Sequence, residues 1–131
     1  MKKAAVVVLT VLVLISLSNC KGKSISFKEP VDEVESIEIV SAESSLEFTV
    51  LKTLSEKEEK ALLNKLQHIE FHKYFGDPPK LRGDSIRITY QSGAYEMICF
   101  YTAEYVENGE IQFLWERCNE KEFNELIENF L

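Results

Sequence analysis

Polar and apolar residues alternate along several short stretches of this chain. Residues 46–51 alternate clearly and residues 34–40 alternate less strictly, a pattern typical of β-strands with one buried face. The mostly polar residues 41–45 lie between them and indicate a turn. The sequence therefore predicts two consecutive strands near the start of the folded part.

The apolar spacing becomes helical after residue 54. Ser55 precedes Glu58 at the distance of a capping box, and apolar residues then recur every three or four positions between 62 and 69. A helix is expected to begin at Ser55 and end near Gln67. Asn119 and Glu122 give a second capping signal before an apolar stripe over 123–130, which predicts a closing helix.

Four further segments between the two helices favour strands. They are residues 68–74, 86–90, 95–101 and 111–115, separated by the Gly76 to Gly83 loop, Ser92-Gly93 and Asn108-Gly109. The order β-β-α-β-β-β-β-α predicts an α+β domain with one antiparallel sheet of about five to six strands. Both helices are expected on one face of that sheet.

The first apolar run of the chain has the layout of a secretory signal peptide. Lys2 and Lys3 precede apolar residues 4–17, and this run is shorter than the roughly 20 residues that a membrane-spanning helix needs. The run ends in Leu17-Ser18-Asn19-Cys20, which resembles the lipobox of bacterial lipoproteins. Asn19 departs from the family pattern, which prefers Gly, Ala or Ser at this position.

The resemblance implies that Cys20 carries a diacylglyceryl group and that the chain is cleaved before it. The expected organisation is a signal peptide over 1–19, a lipidated tether over 20–32 and one small domain over 33–131. Such a protein is held at the outer, extracytoplasmic side of the cell membrane through two or three acyl chains. An uncleaved signal anchor with an unmodified Cys20 is the alternative, and it also places the domain outside the cytoplasm.

The charge of the chain excludes one class of partner. Removal of residues 1–19 takes away Lys2 and Lys3 and brings the formal net charge from −7 to −9. A chain this acidic is not expected to bind nucleic acid.

Cys99 and Cys118 form a candidate disulfide. A two-residue turn at Asn108-Gly109 places them opposite each other in a continuous hairpin, about 5.5 Å apart between Cα atoms. An extracytoplasmic location permits the bond. The alternative is two unpaired buried thiols, because free cysteine is commonly a small core residue.

His68, Glu70 and His72 are the candidate metal ligands, since a strand would place all three on one face. The two histidines would then stand roughly 13 Å apart, too far to share one ion, so a polar solvent face is the favoured interpretation. No metal site, cofactor or catalytic residue is therefore assigned.

The sequence favours a non-enzymatic binding or accessory domain. It carries no phosphate-binding loop and no nucleophile elbow, whereas five tyrosines lie in or beside predicted strands. We expect a protein or envelope partner to bind the sheet face without helices or the Gly76 to Gly83 loop. The alternatives are a metal-binding or metal-assisted hydrolytic domain that uses His68, Glu70 and His72, and a purely structural envelope protein.

Overall fold

The domain is an α+β fold, as the sequence predicts. A computed structural model describes residues 24–73, 76, 79–114 and 116–131. The described part contains a six-stranded antiparallel sheet of order β2-β1-β4-β5-β6-β7, a two-stranded sheet β3-β8 and two α-helices. The elements are β1 Val34–Ala42, β2 Phe48–Thr53, α1 Glu56–Gln67, β3 His72–Lys73, β4 Gly83–Tyr90, β5 Tyr95–Ile98, β6 Ala103–Glu107, β7 Glu110–Phe113, β8 Glu116–Arg117 and α2 Glu120–Phe130.

Both helices begin where the capping residues predict. The Ser55 Oγ accepts a hydrogen bond from the Glu58 backbone N–H, and the Glu58 carboxylate accepts one from the Ser55 N–H. The Asn119 Oδ1 accepts a hydrogen bond from the backbone N–H of Glu122 at 3.1 Å. These side chains satisfy N–H groups that the first turn of a helix leaves without partners.

The main core lies between the helices and one face of the large sheet. Leu62 and Leu66 of α1 and Phe123 of α2 are fully or almost fully buried there. The opposing sheet positions alternate along each strand and include Ile37, Ile39, Ile86, Ile88 and Ile98. Burial of these side chains supplies the main driving force for the fold, at roughly 1.5–3 kcal/mol for each large one.

The segment after α1 differs from the strand predicted over 68–74. His68 caps the helix, and its Nδ1 lies 2.7 Å from the carbonyl oxygen of Asn64. Regular pairing is limited to β3, which joins the two-stranded sheet opposite β8. Ile69 and Phe71 are buried in the main core, and this burial produced the alternation that resembles a longer strand.

The predicted strand over 95–101 ends after Ile98. The chain turns there, because the Cys99 N–H donates to the Thr102 carbonyl at 3.0 Å, and β6 follows. The sequence pattern does not predict β6, because this strand is buried on both faces and the charged Glu104 is one of its buried residues. The two-residue turn at Asn108-Gly109 is confirmed, with φ of 52° and 77° at these residues.

Residues 24–30, which we call the strap, pack on the domain. The sequence predicts that they belong to a tether over 20–32. In the structure Ile25 is buried in the main core and Phe27 packs against it, and the Gln91 N–H donates to the Glu33 carbonyl. The folded unit therefore begins before the predicted boundary at 33, because the strap supplies apolar side chains to the core.

Candidate functional site

The sheet face opposite the helices is the candidate site, and we call it the second face. Cross-strand register assigns its residues, because directly paired residues lie on the same side of an antiparallel sheet. It runs from β2 at one edge to β7 at the other. Its members include Glu38, Val40, Phe48, Val50, Arg87, Thr89, Tyr95, Met97, Glu104, Val106, Ile111 and Phe113.

Arg87 of β4 lies between two aromatic rings on this face. Its guanidinium carbon is 4.7 Å from the ring centroid of Phe48 and 4.4 Å from that of Tyr95. Its Nη1 donates to the Glu38 carboxylate at 2.6 Å. The arrangement, which we call the arginine clamp, connects β1, β2, β4 and β5. Glu38 thus pairs the charge of Arg87 within the clamp.

Two loops cover the middle of the second face. The Ser45 hydroxyl, in the loop between β1 and β2, donates to the Glu104 carboxylate at 2.7 Å, and the Tyr95 hydroxyl donates to the Ser45 carbonyl at 2.6 Å. Leu81, from the loop before β4, packs in a second, smaller apolar cluster, which we call the second cluster. Its buried members are Val40, Ala42, Leu81, Met97 and Cys99. These contacts explain how a face without helices buries a core of its own.

The predicted binding loop is partly fixed to the domain. The Tyr101 hydroxyl donates to the Lys80 carbonyl at 2.9 Å and accepts from the Arg82 N–H at 2.7 Å. Leu81 between them is fully buried. Residues 79–82 therefore act as a cover of the second face, while Asp77 and Pro78 lie outside the described residues.

Apolar side chains remain exposed toward both edges of the second face. Val50 on β2 is 43% exposed and Ile111 on β7 is 37% exposed. Val50 pairs with Val40, and Ile111 pairs with Val106 next to Tyr95, so both extend the apolar surface of the sheet beyond the covered centre. The second face thus presents a paired arginine, two aromatic rings and exposed aliphatic groups.

The tyrosines do not form one outward patch. Tyr90 is fully buried on the helix side, and Tyr105 lies half-buried on that side. Tyr95 and Tyr101 are half-buried near the second cluster. Tyr74 lies outside the described residues. Among the described tyrosines, Tyr95 is the one that contributes a ring to the arginine clamp.

The predicted metal ligands do not assemble into a site. His68 is a helix cap and His72 lies on β3, while the His72 Nε2 is 3.9 Å from the Glu70 carboxylate. A cavity of about 550 Å³ borders these residues together with Cys118 and Glu122. Within the described ranges, no group of three or more His, Cys, Asp or Glu side chains could hold a metal ion. The geometry gives no support to the metal-based alternative.

Cys99 and Cys118, both described in the structure, are free thiols, so the predicted disulfide between them is absent. Cys99 lies in the turn after β5 and packs in the second cluster, whereas Cys118 packs against the main core on the other side of the sheet. The Cys118 N–H donates to the Phe100 carbonyl, one position out of the predicted register. The turn between β5 and β6 broke the continuous hairpin on which the prediction depended. Burial raises the pKa of Cys99 to about 11 and that of Cys118 to about 12.

A buried carboxyl on the helix side is not predicted by the sequence pattern. Glu96 of β5 is fully buried, and its Oε1 accepts hydrogen bonds from the Tyr90 hydroxyl and the Lys28 N–H. Burial raises the pKa of Glu96, and the Tyr90 and Lys28 hydrogen bonds partly oppose that rise. A glutamate two residues before the core residue Ile98 is the sequence signal that could have found it.

The lipid-site prediction lies outside the described residues, because these begin at residue 24 and Cys20 precedes them. Over the residues that are described, neither helix has the length and apolar character needed to cross a membrane.

No protein-family model, curated protein or solved structure matches this chain.

Proposed function

We propose that this chain is a lipoprotein anchored through Cys20 at the outer side of the cell membrane, and that its domain binds a protein or envelope partner through the second face. The anchoring rests on the resemblance of residues 17–20 to a lipobox. The binding role rests on one structural observation, the exposed apolar groups that flank the arginine clamp on a sheet face without helices.

The composition of the second face suits a protein-like partner. Aromatic rings and arginine are enriched at the centres of protein interfaces, where they give large contact area at low entropy cost. Val50 and Ile111 add apolar surface that contact with a partner would remove from water. Arg87 is already paired with Glu38, so the partner does not need to supply a counter-charge for this arginine.

The experiment compares partner capture by the full chain and by surface variants in the native cell envelope. Val50→Ser and Ile111→Ser shorten exposed side chains on the second face. Val31→Ser is the matched control, because Val31 is 43% exposed, as Val50 is, but lies in the 3-10 turn Val31–Glu33 before β1. Chemical crosslinking of each variant is followed by mass spectrometry of the captured proteins.

We expect the Val50→Ser, Ile111→Ser double variant to lose at least tenfold of a specific crosslinked partner, while Val31→Ser captures as much as the parent. Equal capture by all variants would contradict binding through the second face. Absence of any reproducible crosslinked partner for the parent would favour a purely structural envelope role instead.

A further inference from the structure

Strand β2 forms one edge of the six-stranded sheet. It pairs with β1 on one side, and no other described strand pairs with it on the other side. Natural edge strands are commonly protected by prolines or charged side chains. The register shift at Leu51 interrupts the ladder, so the regular part of β2 is Phe48 to Val50. This part contains neither a proline nor a charge, and Val50 is 43% exposed.

The regular part of β2 has backbone hydrogen-bonding groups that point away from β1. At the start of the ladder, the Glu43 N–H donates to the Glu47 carbonyl at 2.8 Å. The next three ladder pairs are Ala42–Phe48, Ser41–Thr49 and Val40–Val50. Hydrogen-bonded and non-hydrogen-bonded pairs alternate in an antiparallel ladder, so Phe48 and Val50 belong to non-hydrogen-bonded pairs. Their N–H and C=O groups therefore point outward, where an added strand can bind them.

We propose that two copies of this chain pair through β2, in antiparallel orientation and with Thr49 on the two-fold axis. In this register Phe48 of each copy lies opposite Val50 of the other, which brings the outward backbone groups together. Aromatic side chains opposite β-branched ones, and threonine opposite threonine, are favourable cross-strand pairs. Between residues 47 and 51 no two charges of like sign lie opposite each other. Because both copies use the same patch, assembly closes at a dimer.

The two-fold axis stands perpendicular to the joined sheet, because directly opposite side chains point to the same side of an antiparallel sheet. The second faces of both copies therefore share one side. Both straps lie on the other side, since Ile25 packs in the main core and the Lys28 N–H donates to Glu96 on the helix side. Only residues 21–23, which span at most roughly 10 Å, separate the strap from Cys20. Under the proposed anchoring, one membrane can therefore hold both chains of the pair.

Pairing through β2 goes beyond the proposed function, because the partner is a second copy of the chain and not another component of the envelope. It joins the two six-stranded sheets into one and places their second faces side by side, with β7 as the edge at each end. The contact is between backbone edges, whereas the proposed envelope partner contacts side chains of the second face. The two proposals can therefore fail separately.

Disulfide trapping of the full chain in native membranes tests the pairing. Thr49→Cys places two thiols at the two-fold axis, where the Cα atoms of a non-hydrogen-bonded pair lie about 4.5 Å apart, within the range of a disulfide. Thr53→Cys is the matched control. Thr53 is also an exposed threonine of β2, but its two copies would lie more than roughly 20 Å apart in this register. Each variant is treated with a thiol oxidant and compared on a non-reducing gel with the parent, which reports bonding through the native cysteines.

We expect Thr49→Cys to give at least ten times as much disulfide-linked dimer as Thr53→Cys. Addition of Val50→Lys should reduce the yield of the Thr49→Cys dimer at least tenfold, because a lysine on an edge strand opposes the approach of another strand. Addition of Ile111→Lys should leave the yield unchanged, since Ile111 is an exposed residue on the opposite edge strand β7. Circular dichroism checks that each variant is folded.

Equal dimer yields from Thr49→Cys and Thr53→Cys would overturn the pairing, as would a Thr49→Cys dimer whose yield Val50→Lys does not reduce. Mass spectrometry identifies what Thr49→Cys is bonded to, and a disulfide to a different polypeptide would assign β2 to another occupant and also overturn the pairing. Capture of an envelope partner without a Thr49→Cys dimer would overturn the pairing and leave the proposed function standing. A Thr49→Cys dimer without a captured partner would support the pairing and count against the proposed function.

Discussion

Replacement of Arg87 by methionine should destabilise the domain by about 3 kcal/mol. Methionine keeps an unbranched chain of similar length but removes the guanidinium that lies between Phe48 and Tyr95. The variant also leaves the Glu38 carboxylate without its partner on a mostly buried position, because the side chains of Arg87 and Glu38 are only 21% and 14% exposed.

The magnitude follows from two losses. Each cation–π contact at a partly desolvated site contributes about 0.5–1 kcal/mol. Removal of one partner from a buried ion pair costs about 3–5 kcal/mol, and the residual exposure of this pair places its cost near the lower end or below it. Methionine recovers part of the apolar contact with the two rings, which brings the expected total to about 3 kcal/mol.

Urea unfolding, followed by tyrosine fluorescence and by circular dichroism, measures the change. Lys60→Met is the matched control. The Lys60 Nζ lies 3.5 Å from the Glu56 Oε1, and both side chains are highly exposed. Loss of this ion pair should therefore lower the free energy of unfolding by less than about 0.5 kcal/mol. The double variant Glu38→Gln, Arg87→Met should recover at least about 1 kcal/mol, because it no longer buries an unpaired charge. A loss below about 1 kcal/mol for Arg87→Met would refute the clamp as a stabilising element of the second face.

Three further results follow from the structure. Asn119→Ala removes the cap of α2 and should lower the free energy of unfolding by about 1 kcal/mol in the same urea assay, whereas Asn124→Ala on the exposed surface of α2 should not lower it. At pH 8, Cys99 and Cys118 of the native protein should react with iodoacetamide at least tenfold more slowly than in the unfolded protein. Their raised pKa values keep both side chains as unreactive thiols. Equal rates in native and unfolded protein would contradict their burial. Burial raises the pKa of Glu116 to about 7, so its protonated form favours the folded state in acid. Between pH 4.5 and pH 7 the free energy of unfolding should therefore fall by about 2 kcal/mol more in the parent than in Glu116→Gln. Parallel pH profiles of the two proteins would contradict this sign.

Local signals predicted the helices well. Ser55 with Glu58 and Asn119 with Glu122 place the two helix starts within one residue of those observed. Capping depends on side chains three residues apart, so the sequence alone contains the whole interaction. The turn at Asn108-Gly109 was predictable for the same reason, since both residues tolerate a positive φ.

The buried residues that the sequence does not predict depend on contacts between segments far apart in the chain. Glu96 and Glu104 are charged residues that no local pattern places in a core, yet each is buried beside a partner from a distant segment, Ser45 for Glu104 and the strap for Glu96. The strap has only two alternating apolar residues, Ile25 and Phe27, and so short a pattern does not distinguish a packed segment from a tether. A pairing partner 59 or 68 residues away leaves no local trace in the sequence.

The sequence predicts where the second face lies, but not which of its side chains are covered. Two helices and one sheet leave one sheet face without helices, which the element order indicates. Coverage of that face by Ser45 and Leu81, and the place of Arg87 between Phe48 and Tyr95, depend on how two loops fold back over it.

Membrane fractionation with intact-mass measurement of the full chain, expressed in a bacterium, tests the central claim most directly. The account predicts that the parent is found in the membrane fraction with a mass that corresponds to residues 20–131 plus acyl chains on Cys20. Cys20→Ser should lose this modification and its firm membrane attachment, whereas Cys118→Ser should retain both. A parent protein with an unmodified Cys20, or a Cys20→Ser variant as firmly attached as the parent, would contradict the account.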